Sequence, residues 1–246
     1  MTTKMMKIIL AITISLWVSA SLPIQAQPVQ KAMQFDKKIT QNVKMKYLLY
    51  LPADYIDDGS RSFPLMLFLH GSGERGDDLQ LVKKNGPPKV AVKMNLPFII
   101  LSPQCPMSEP WWNIENVKVL LDDIISRYPV DRDRIYVTGL SMGGFGTWEM
   151  IMKYPDLFAA AAPVCGGGYT HRIHLIKDVP VWVFHGQKDN IVPIEYSQRM
   201  VNALMDYGAE VEFTVYPDAG HDAWTPTYNN PELYEWLLSH SKHKKE

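Results

Sequence analysis

The sequence predicts an α/β fold in which a mostly parallel sheet is covered by helices on both faces. Short apolar, β-branched segments alternate along the chain with segments whose apolar residues recur at helical spacing, which is typical of strands joined by helical crossovers. Several strand-like segments are almost continuously apolar, as expected for strands that are buried on both faces. The 246 residues suit one domain with a sizeable core.

Eight segments are predicted to be strands. The first two, residues 33–40 and 44–52, are close enough in sequence to form a hairpin. The other six, which complete an eight-stranded sheet, are residues 64–71, 97–104, 134–139, 159–166, 179–186 and 211–217.

Three segments between or after these strands are predicted to be helices. The third covers residues 229–240 and begins with Asn230 as its N-cap and Pro231 at the first helical position. The second ends at Gly208, which is a suitable C-cap. The apolar residues with helical spacing in the first two helices are Val117, Leu120, Leu121, Ile124 and Ile125, and Tyr196, Met200, Val201 and Leu204.

The first 26 residues are predicted to be a cleaved export signal. Residues 1–7 are basic, residues 8–22 are apolar, and Ala26 provides a small residue at the cleavage point. A membrane anchor is the alternative, but the polar residues and the following proline make the apolar span short for that role. Residues 27–246 are then expected to form a single domain that is secreted or periplasmic and not attached to a membrane.

Charge and cysteine content exclude some classes of protein. The formal charge is −1, and removal of Lys4 and Lys7 with the signal changes it to −3. A mildly acidic chain without a basic cluster is not expected to bind nucleic acid. Cys105 and Cys165 are the only cysteines, so the hydrophobic core must stabilise the fold. The oligomeric state is not predicted.

A Gly-x-Ser-x-Gly motif lies between a predicted strand and a helix-like segment. This placement is typical of a tight turn that raises a serine hydroxyl above the sheet. Gly139 and Gly143 are expected there because neighbouring backbone leaves no room for a Cβ, and Gly144 and Gly146 would let the helix pack closely against the sheet. Ser141 is therefore the candidate nucleophile, and an ordinary glycine-rich turn is the alternative.

A nucleophilic serine needs a base, which is itself oriented by a third group. In a strand–turn–helix setting of this kind the partners follow in the order serine, acid, histidine. Asp189 follows the second predicted strand after Ser141, and His221 follows the third, which is the last. Asp218 and Asp222 flank His221, but residues so close in one turn are expected to shape the loop rather than to face the ring.

Acyl transfer also needs hydrogen-bond donors for a developing oxyanion. The backbone N–H of Met142, directly after the serine, is the first candidate, and that of Ser72, in the loop after an earlier strand, is the second. His171 and His174 could indicate a metal pair, but no carboxylate or cysteine cluster completes a site, so neither a metal nor a cofactor is predicted.

Seven segments of the chain match motifs of a known superfamily: YLLYLP, LFLHGSGERGDD, SPQCP, DRIYVTGLSMGGFGTW, APVCGGG, VWVFHGQKD and YPDAGHDAW. Together they resemble the α/β-hydrolase superfamily over residues 33–240. Within it, the chain resembles the small secreted esterases of the predicted-peptidase group, which are similar to dienelactone hydrolases, polyhydroxybutyrate-depolymerase-like enzymes and feruloyl or acetylxylan esterases. The resemblance implies Ser141 as nucleophile, Asp189 as acid and His221 as base. It also implies the hydrolysis of carboxylic esters. A site without a cap, which the 15 residues between two later strands predict, favours short-chain or aromatic acyl groups, in small molecules or on a decorated polysaccharide.

Two alternatives to an esterase remain open. Prolyl-oligopeptidase-type peptidases carry a large additional N-terminal domain, for which the chain lacks the length, and amide cleavage requires protonation of the leaving amine. A binding module with a silent triad is expected to have lost one of the three residues, and none is missing.

Candidate substrate contacts are Trp111, Trp112, Trp224 and Glu74, which lie in loops at the predicted active face. The tryptophans either stack on a sugar or phenolic ring or pack beneath the loops. Glu74 either touches substrate or pairs with Arg75 as a solvated ion pair.

The sequence also predicts an open site and free thiols. In the superfamily that the chain resembles, a cap is commonly inserted after the strand that follows the nucleophile helix, and here only 15 residues separate that strand from the next. Cys105 and Cys165 follow strands that the usual strand order separates by two others. Strand spacing then puts them ~14 Å apart, and a disulfide requires Cα atoms within ~7 Å.

Overall fold

A computed structural model of the protein describes residues 34–38, 40, 42–56 and 58–242. The predicted export signal lies outside the described residues. Contacts divide the chain after residue 41, and before that point residues 34–38 and 40 form neither helix nor strand. No described helix has the length and the apolar character needed to cross a bilayer.

The described sheet contains seven strands and not the predicted eight. They are β1 (Tyr47–Tyr50), β2 (Phe63–Leu69), β3 (Ile99–Pro103), β4 (Val130–Leu140), β5 (Ala160–Val164), β6 (Val181–Gly186) and β7 (Val211–Tyr216). The strand predicted over residues 33–40 is wrong for the residues described, and with it the hairpin. Its apolar alternation is interrupted by Lys37 and Lys38, and β1 pairs with β3 instead.

The strands lie in the order β1-β3-β2-β4-β5-β6-β7. Only β1 runs antiparallel to its neighbour among these pairs. The carboxyl ends are level across the centre, since Leu69 of β2 pairs with Gly139 of β4, and Leu140 of β4 pairs with Val164 of β5. Loops that leave these ends therefore meet at one edge of the sheet, where ligands bind in open α/β folds.

In the described part of the chain, six α-helices connect or follow the strands. The N-cap Asn113 accepts a hydrogen bond from the N–H of Asn116, and Asn230 caps the last helix as predicted by accepting from the N–H of Glu232. The first and fifth helices were not predicted. The helices are α1 (Pro87–Met94), α2 (Ile114–Arg127), α3 (Met142–Lys153), α4 (Glu195–Asp206), α5 (Trp224–Asn229) and α6 (Pro231–Ser239).

The sheet separates two hydrophobic clusters, and successive residues of β2 show this directly. Leu67 and Leu69 belong to the cluster under α2, α3 and α4, whereas Met66 and Phe68 belong to the cluster under α1, α5 and α6. All residues of β2 are buried, as expected for a strand covered on both faces. We call the α2, α3 and α4 side the first face and the α1, α5 and α6 side the second face.

The expectations of free thiols and of a short connection after β5 hold in the described residues. Cys105 and Cys165 are free and buried, and β2 and β4 lie between the strands that precede them. The connection from β5 to β6 contains one 3₁₀ helix, Thr170–Leu175, and no inserted helical cap.

Candidate active site

Ser141 stands in a strained turn between β4 and α3. Its backbone has φ 53° and ψ −117°, a region that non-glycine residues rarely adopt. A Cβ at Gly139 would lie 2.7 Å from the carbonyl oxygen of Leu69, and one at Gly143 would overlap the same carbonyl group. The two glycines that flank the serine are thus required by the close approach of backbone, as the sequence predicted.

The next two glycines bring α3 close to the sheet. A Cβ at Gly144 would overlap the carbonyl oxygen of Val164 at the end of β5. One at Gly146 would lie 2.9 Å from a methyl carbon of Leu69 and 3.1 Å from the ring of Trp112. This close packing holds the first turn of α3, and with it the turn at Ser141, at the edge of the sheet.

Asp189 lies three residues after β6, and its carboxylate is fully buried. Its Oδ1 accepts hydrogen bonds from the backbone N–H groups of Ile191 and Val192, each at 2.9 Å. Burial raises the pKa of this carboxyl group, but the hydrogen bonds from His221 and from these N–H groups outweigh it, so the pKa lies below its usual value. Asp189 is thus held as a carboxylate in one orientation.

His221 lies in the loop after β7 and joins the other two residues. Its Nδ1 is 2.7 Å from Oδ2 of Asp189, and its Nε2 is 2.9 Å from Oγ of Ser141. Because a carboxylate only accepts, the ring proton is on Nδ1 and Nε2 is free to accept from the serine hydroxyl. The sulfur of Cys165 donates to the carbonyl oxygen of His221 at 3.3 Å, which fixes the loop from below. The structure therefore brings the three predicted residues together.

The rival carboxylates are occupied elsewhere. Asp218 is exposed and pairs with Lys188 at 2.7 Å. Asp222 accepts from the N–H and the hydroxyl of Thr225, each at 2.9 Å, and so supports the start of α5. Both shape the loop, as expected.

His185, at the end of β6, supports the segment that carries Asp189. Its Nε2 donates to the carbonyl oxygen of Val192 at 2.8 Å and lies 3.3 Å from Oδ2 of Asp189. Its Nδ1 is 2.7 Å from the hydroxyl oxygen of Ser197. Burial lowers the pKa of His185, although Val192 and Asp189 partly oppose this.

The two candidate oxyanion donors are on segments that end at the same edge. Met142 is the first residue of α3, so its N–H has no acceptor within the helix. Ser72 begins a 3₁₀ helix, Ser72–Glu74, in the loop after β2. Gly71 lets this loop approach β4, because a Cβ there would lie 2.8 Å from a methyl carbon of Leu140. Gly73 has no such role, since no atom of the described residues lies within 4 Å of its Cβ position.

Trp112 is not a substrate contact but part of the support for the oxyanion loop. It is only 4% exposed, and its indole N–H donates to the carbonyl oxygen of His70 at 3.1 Å. His70 in turn accepts from the N–H of Cys105 at 3.0 Å, and burial lowers the pKa of His70 to about 4, so the ring is neutral. The aromatic ring packs beneath the loop, which was the second of the two expectations for the tryptophans.

Glu74 also differs from both expectations. It is 7% exposed, its Oε1 accepts from the amide of Asn85 at 2.6 Å, and it makes no ion pair with Arg75. Arg75 donates instead to the carbonyl oxygens of Ser72 and Glu109. A buried carboxylate without a hydrogen-bond partner would be costly, and Asn85 supplies that partner. Within the described part of the chain, Glu74 thus links the loop after β2 to the loop before α1.

Trp111 and Trp224 remain at the surface of the candidate site. The ring of Trp224 stands edge-on to that of His221, with centroids 5.1 Å apart. Trp111 is 43% exposed and contacts Phe145 on α3. Both stay available to a bound molecule.

The described residues contain one group of potential metal ligands, Cys165, Asp189 and His221, with ligating atoms within 4.8 Å. Asp189 and His221 bond each other, and burial raises the pKa of Cys165 to about 12, so its thiol stays protonated. These side chains are therefore committed to hydrogen bonds. His171 and His174 are exposed and belong to no such group in the described segments.

Sequence reasoning missed three residues that line a cleft beside this site. They are Phe145 and Glu149 on α3, and Tyr196 on α4. The spacing in α4 placed Tyr196 on the core face, but it is 41% exposed and lines the cleft. The sequence feature that could have indicated this position is that Tyr196 lies in the first turn of a helix that starts at the carboxyl edge of the sheet.

The sheet order and the edge site define a protein of the α/β-hydrolase class. The model of the dienelactone hydrolase family matches residues 108–235, which include Ser141, Asp189 and His221. The match covers more than half of the chain, and the protein belongs to the dienelactone hydrolase family.

Three relatives indicate the range of similar proteins. A thermostable esterase of known structure is 38% identical, with a TM-score of 0.70, over 80% of this chain and 59% of its own. A protein of Oryza sativa subsp. japonica named a probable carboxylesterase is 25% identical over 80% of this chain and 85% of its own. The bifunctional acetylxylan esterase/xylanase of Neocallimastix patriciarum is 23% identical over 82% of this chain, which spans 29% of that protein.

Proposed function

We propose that the protein is a secreted or periplasmic serine hydrolase that cleaves carboxylic esters through an acyl-enzyme. The observation that carries this proposal is the chain of hydrogen bonds from Ser141 through His221 to Asp189, at 2.9 and 2.7 Å. The substrate is an ester with a short-chain or aromatic acyl group, either a small molecule or a decorated polysaccharide. The names of the esterase relatives support the reaction, and that of the acetylxylan esterase supports the polysaccharide.

The first half of the reaction forms the acyl-enzyme. Oγ of Ser141 attacks the ester carbonyl carbon while Nε2 of His221 takes the hydroxyl proton. Asp189 stabilises the imidazolium that forms and keeps its proton on Nδ1. The tetrahedral intermediate then collapses, the bond to the alcohol oxygen breaks, and His221 returns the proton to the departing alcohol.

The second half releases the acid. A water molecule gives a proton to Nε2 of His221 and attacks the acyl carbon. Collapse breaks the bond to Oγ of Ser141, which takes the proton back from His221. The charge that develops on the carbonyl oxygen in both halves is stabilised by the N–H groups of Met142 and Ser72, and such donors contribute roughly 10²–10³ each in turnover.

Ester cleavage is favoured over peptide cleavage by the chemistry of the leaving group. His221 gives a proton to either leaving group, but an alcohol oxygen is the better leaving group, whereas an amine cannot leave before it is protonated. The connection between β5 and β6 holds only a short 3₁₀ helix, which supports an open site without a lid over a long acyl chain.

Location outside the cytoplasm rests on the basic residues 1–7, the apolar residues 8–22 and the small Ala26. N-terminal sequencing of the protein recovered outside the cytoplasm should begin at Gln27. Recovery of the intact N-terminus from that fraction would contradict cleavage.

A substrate panel tests the activity. We expect the purified protein to hydrolyse 4-nitrophenyl esters fastest from acetyl to butyryl and poorly beyond about eight carbons, because the site is small and open. Ser141→Ala should remove this activity almost wholly while thermal melting shows a folded protein. The panel includes acetylated xylan, a feruloyl ester and peptide amides.

Preferred cleavage of the amides would identify a peptidase instead. A Ser141→Ala protein that retains substantial ester cleavage would contradict the mechanism. Rates that rise through long acyl chains and increase sharply at micelle formation would indicate a lipase and contradict the open site.

A further inference from the structure

A cleft on the first face lies along α3, the helix that follows the candidate nucleophile. Its volume is about 330 Å³, within the range of small-molecule sites. Phe145, one helical turn after Ser141 and thus about 6 Å further along α3, lines its near end. Glu149 and Met152 continue the lining along the same helix, and Gly167 and Gly168 line it from the loop after β5. The cleft therefore runs from the edge of the sheet along α3.

Four aromatic residues line the cleft. The ring of Phe145 stands between those of Trp111 and Tyr196, with centroids 5.6 and 5.7 Å away at 68° and 70°. Tyr169, 61% exposed, completes the wall. A Cβ at Gly167 would lie 2.9 Å from the Cβ of Tyr196, so a glycine there permits this approach. Exposed aromatic side chains gathered around one concavity are typical of a binding site for an apolar, planar group.

One carboxylate in the cleft lacks a partner. Glu149 is half-buried, and among the described residues its side chain makes no hydrogen bond and no ion pair. The neighbouring cations are engaged elsewhere, since Lys153 pairs with Glu115 and Arg172 donates to the carbonyl oxygen of Met152. Arg199, which also lines the cleft, donates to the carbonyl oxygen of Glu195 and lies over the ring of Tyr196. Burial, more than any neighbouring charge, raises the pKa of Glu149. An ionised carboxylate accepts hydrogen bonds only, so a molecule that satisfies it must bring a donor such as a hydroxyl group.

The position of the cleft decides which half of an ester it can receive. His221 must protonate the departing alcohol, so the alcohol lies on the side of the histidine ring. The loop of His221 leads through Ala223 into the second face, whereas Met152 of the cleft belongs to the first face. The acyl group of the same tetrahedral carbon then points away from His221, toward the cleft.

We propose that the cleft lined by Trp111, Phe145, Tyr196 and Glu149 is the acyl subsite, and that it takes an aromatic acyl group carrying a ring hydroxyl. This inference rests on the proposed ester hydrolysis. The rings enclose the flat aromatic part, and the carboxylate of Glu149 accepts the hydrogen bond of the hydroxyl. Within the proposed substrate range, the cleft thus selects esters with hydroxyaryl acyl groups over esters with aliphatic acyl groups.

The test compares esters that differ only in the acyl group. The probes are methyl 4-hydroxycinnamate, methyl cinnamate and methyl butyrate. For Glu149→Gln we expect the ratio of kcat/KM for the hydroxylated ester to that for methyl cinnamate to fall about tenfold, because the amide oxygen lacks the charge that strengthens the hydrogen bond. For Trp111→Ala we expect kcat/KM for both aromatic esters to fall about tenfold relative to methyl butyrate, because a stacking surface is lost.

Two control variants carry comparable changes away from the cleft, one Glu→Gln and one aromatic residue→Ala. Glu235→Gln on α6 and Tyr207→Ala at the end of α4 alter exposed side chains and should leave every ratio unchanged. Thermal melting checks that all variants fold. Unchanged ratios in Glu149→Gln and Trp111→Ala, with Ser141-dependent hydrolysis intact, would overturn the acyl subsite alone.

If Glu149→Gln and Trp111→Ala lost activity only on acetylated xylan, the cleft would hold the alcohol part of the ester, and the proposal would also be overturned. Absence of any Ser141-dependent ester hydrolysis would instead refute the proposed function.

Discussion

Replacement of Asp189 by asparagine tests the orientation of the catalytic histidine. Oδ1 of Asp189 accepts from two backbone N–H groups, so the asparagine oxygen should take that position and its amide nitrogen should face His221. Nδ1 of His221 must then accept a hydrogen bond rather than donate one. The ring proton moves to Nε2, where it points at Oγ of Ser141, and the imidazole can no longer act as a base.

The magnitude follows from this inverted tautomer. The same change in a serine-protease triad lowers turnover about 10⁴-fold, which raises the activation free energy by about 5 kcal/mol. The assay is the initial rate of 4-nitrophenyl acetate hydrolysis at saturating substrate, with urea unfolding to verify the fold. Asp222→Asn is the matched control, because that carboxylate only accepts from Thr225 and an amide oxygen can replace one acceptor. A mild effect of Asp189→Asn together with a severe effect of Asp222→Asn would refute the assignment.

Two further predictions concern stability and thiol chemistry. Gly143→Ala should lower the free energy of unfolding by about 3 kcal/mol or more, because the new Cβ would overlap backbone. Gly73→Ala is the control and should change this free energy by less than about 0.5 kcal/mol, because no described atom lies within 4 Å of its Cβ position. Equal effects of the two variants in urea unfolding would contradict the packing argument. Burial raises the pKa of Cys105 to about 11 and that of Cys165 to about 12. A disulfide-exchange reagent at pH 8 should therefore label neither thiol in the native protein. In denaturant it should label both thiols without prior reduction. Rapid labelling of the native protein would contradict the prediction, because it would show that the thiols are accessible.

The sequence was most informative where local pattern and chain order suffice. The glycines around Ser141 predicted a close approach of backbone, and the approach is present at both positions. The order of Ser141, Asp189 and His221 predicted one edge for all three, and their side chains are within hydrogen-bonding distance there.

Long-range partners set the limit of sequence reasoning. Trp112 is buried because its N–H meets the carbonyl oxygen of a residue 42 positions earlier, and no local pattern reports that. Glu74 is buried through Asn85 for the same reason. The strand predicted at residues 33–40 shows a related failure in those of its residues that the structure describes, since a strand needs a neighbour to bond with, and β1 pairs with β3 instead.

The position of β7 at one end of the sheet has a consequence for inactivation. No residue of β7 is fully buried, whereas every residue of the central β2 is. Edge elements with little burial open locally at lower free energy than the centre of a domain. His221 follows β7, so local opening of this strand would withdraw the base from Ser141 while the centre of the sheet stayed intact. Mild denaturant should therefore inactivate a population of molecules that remain largely folded and recover as soon as the strand closes.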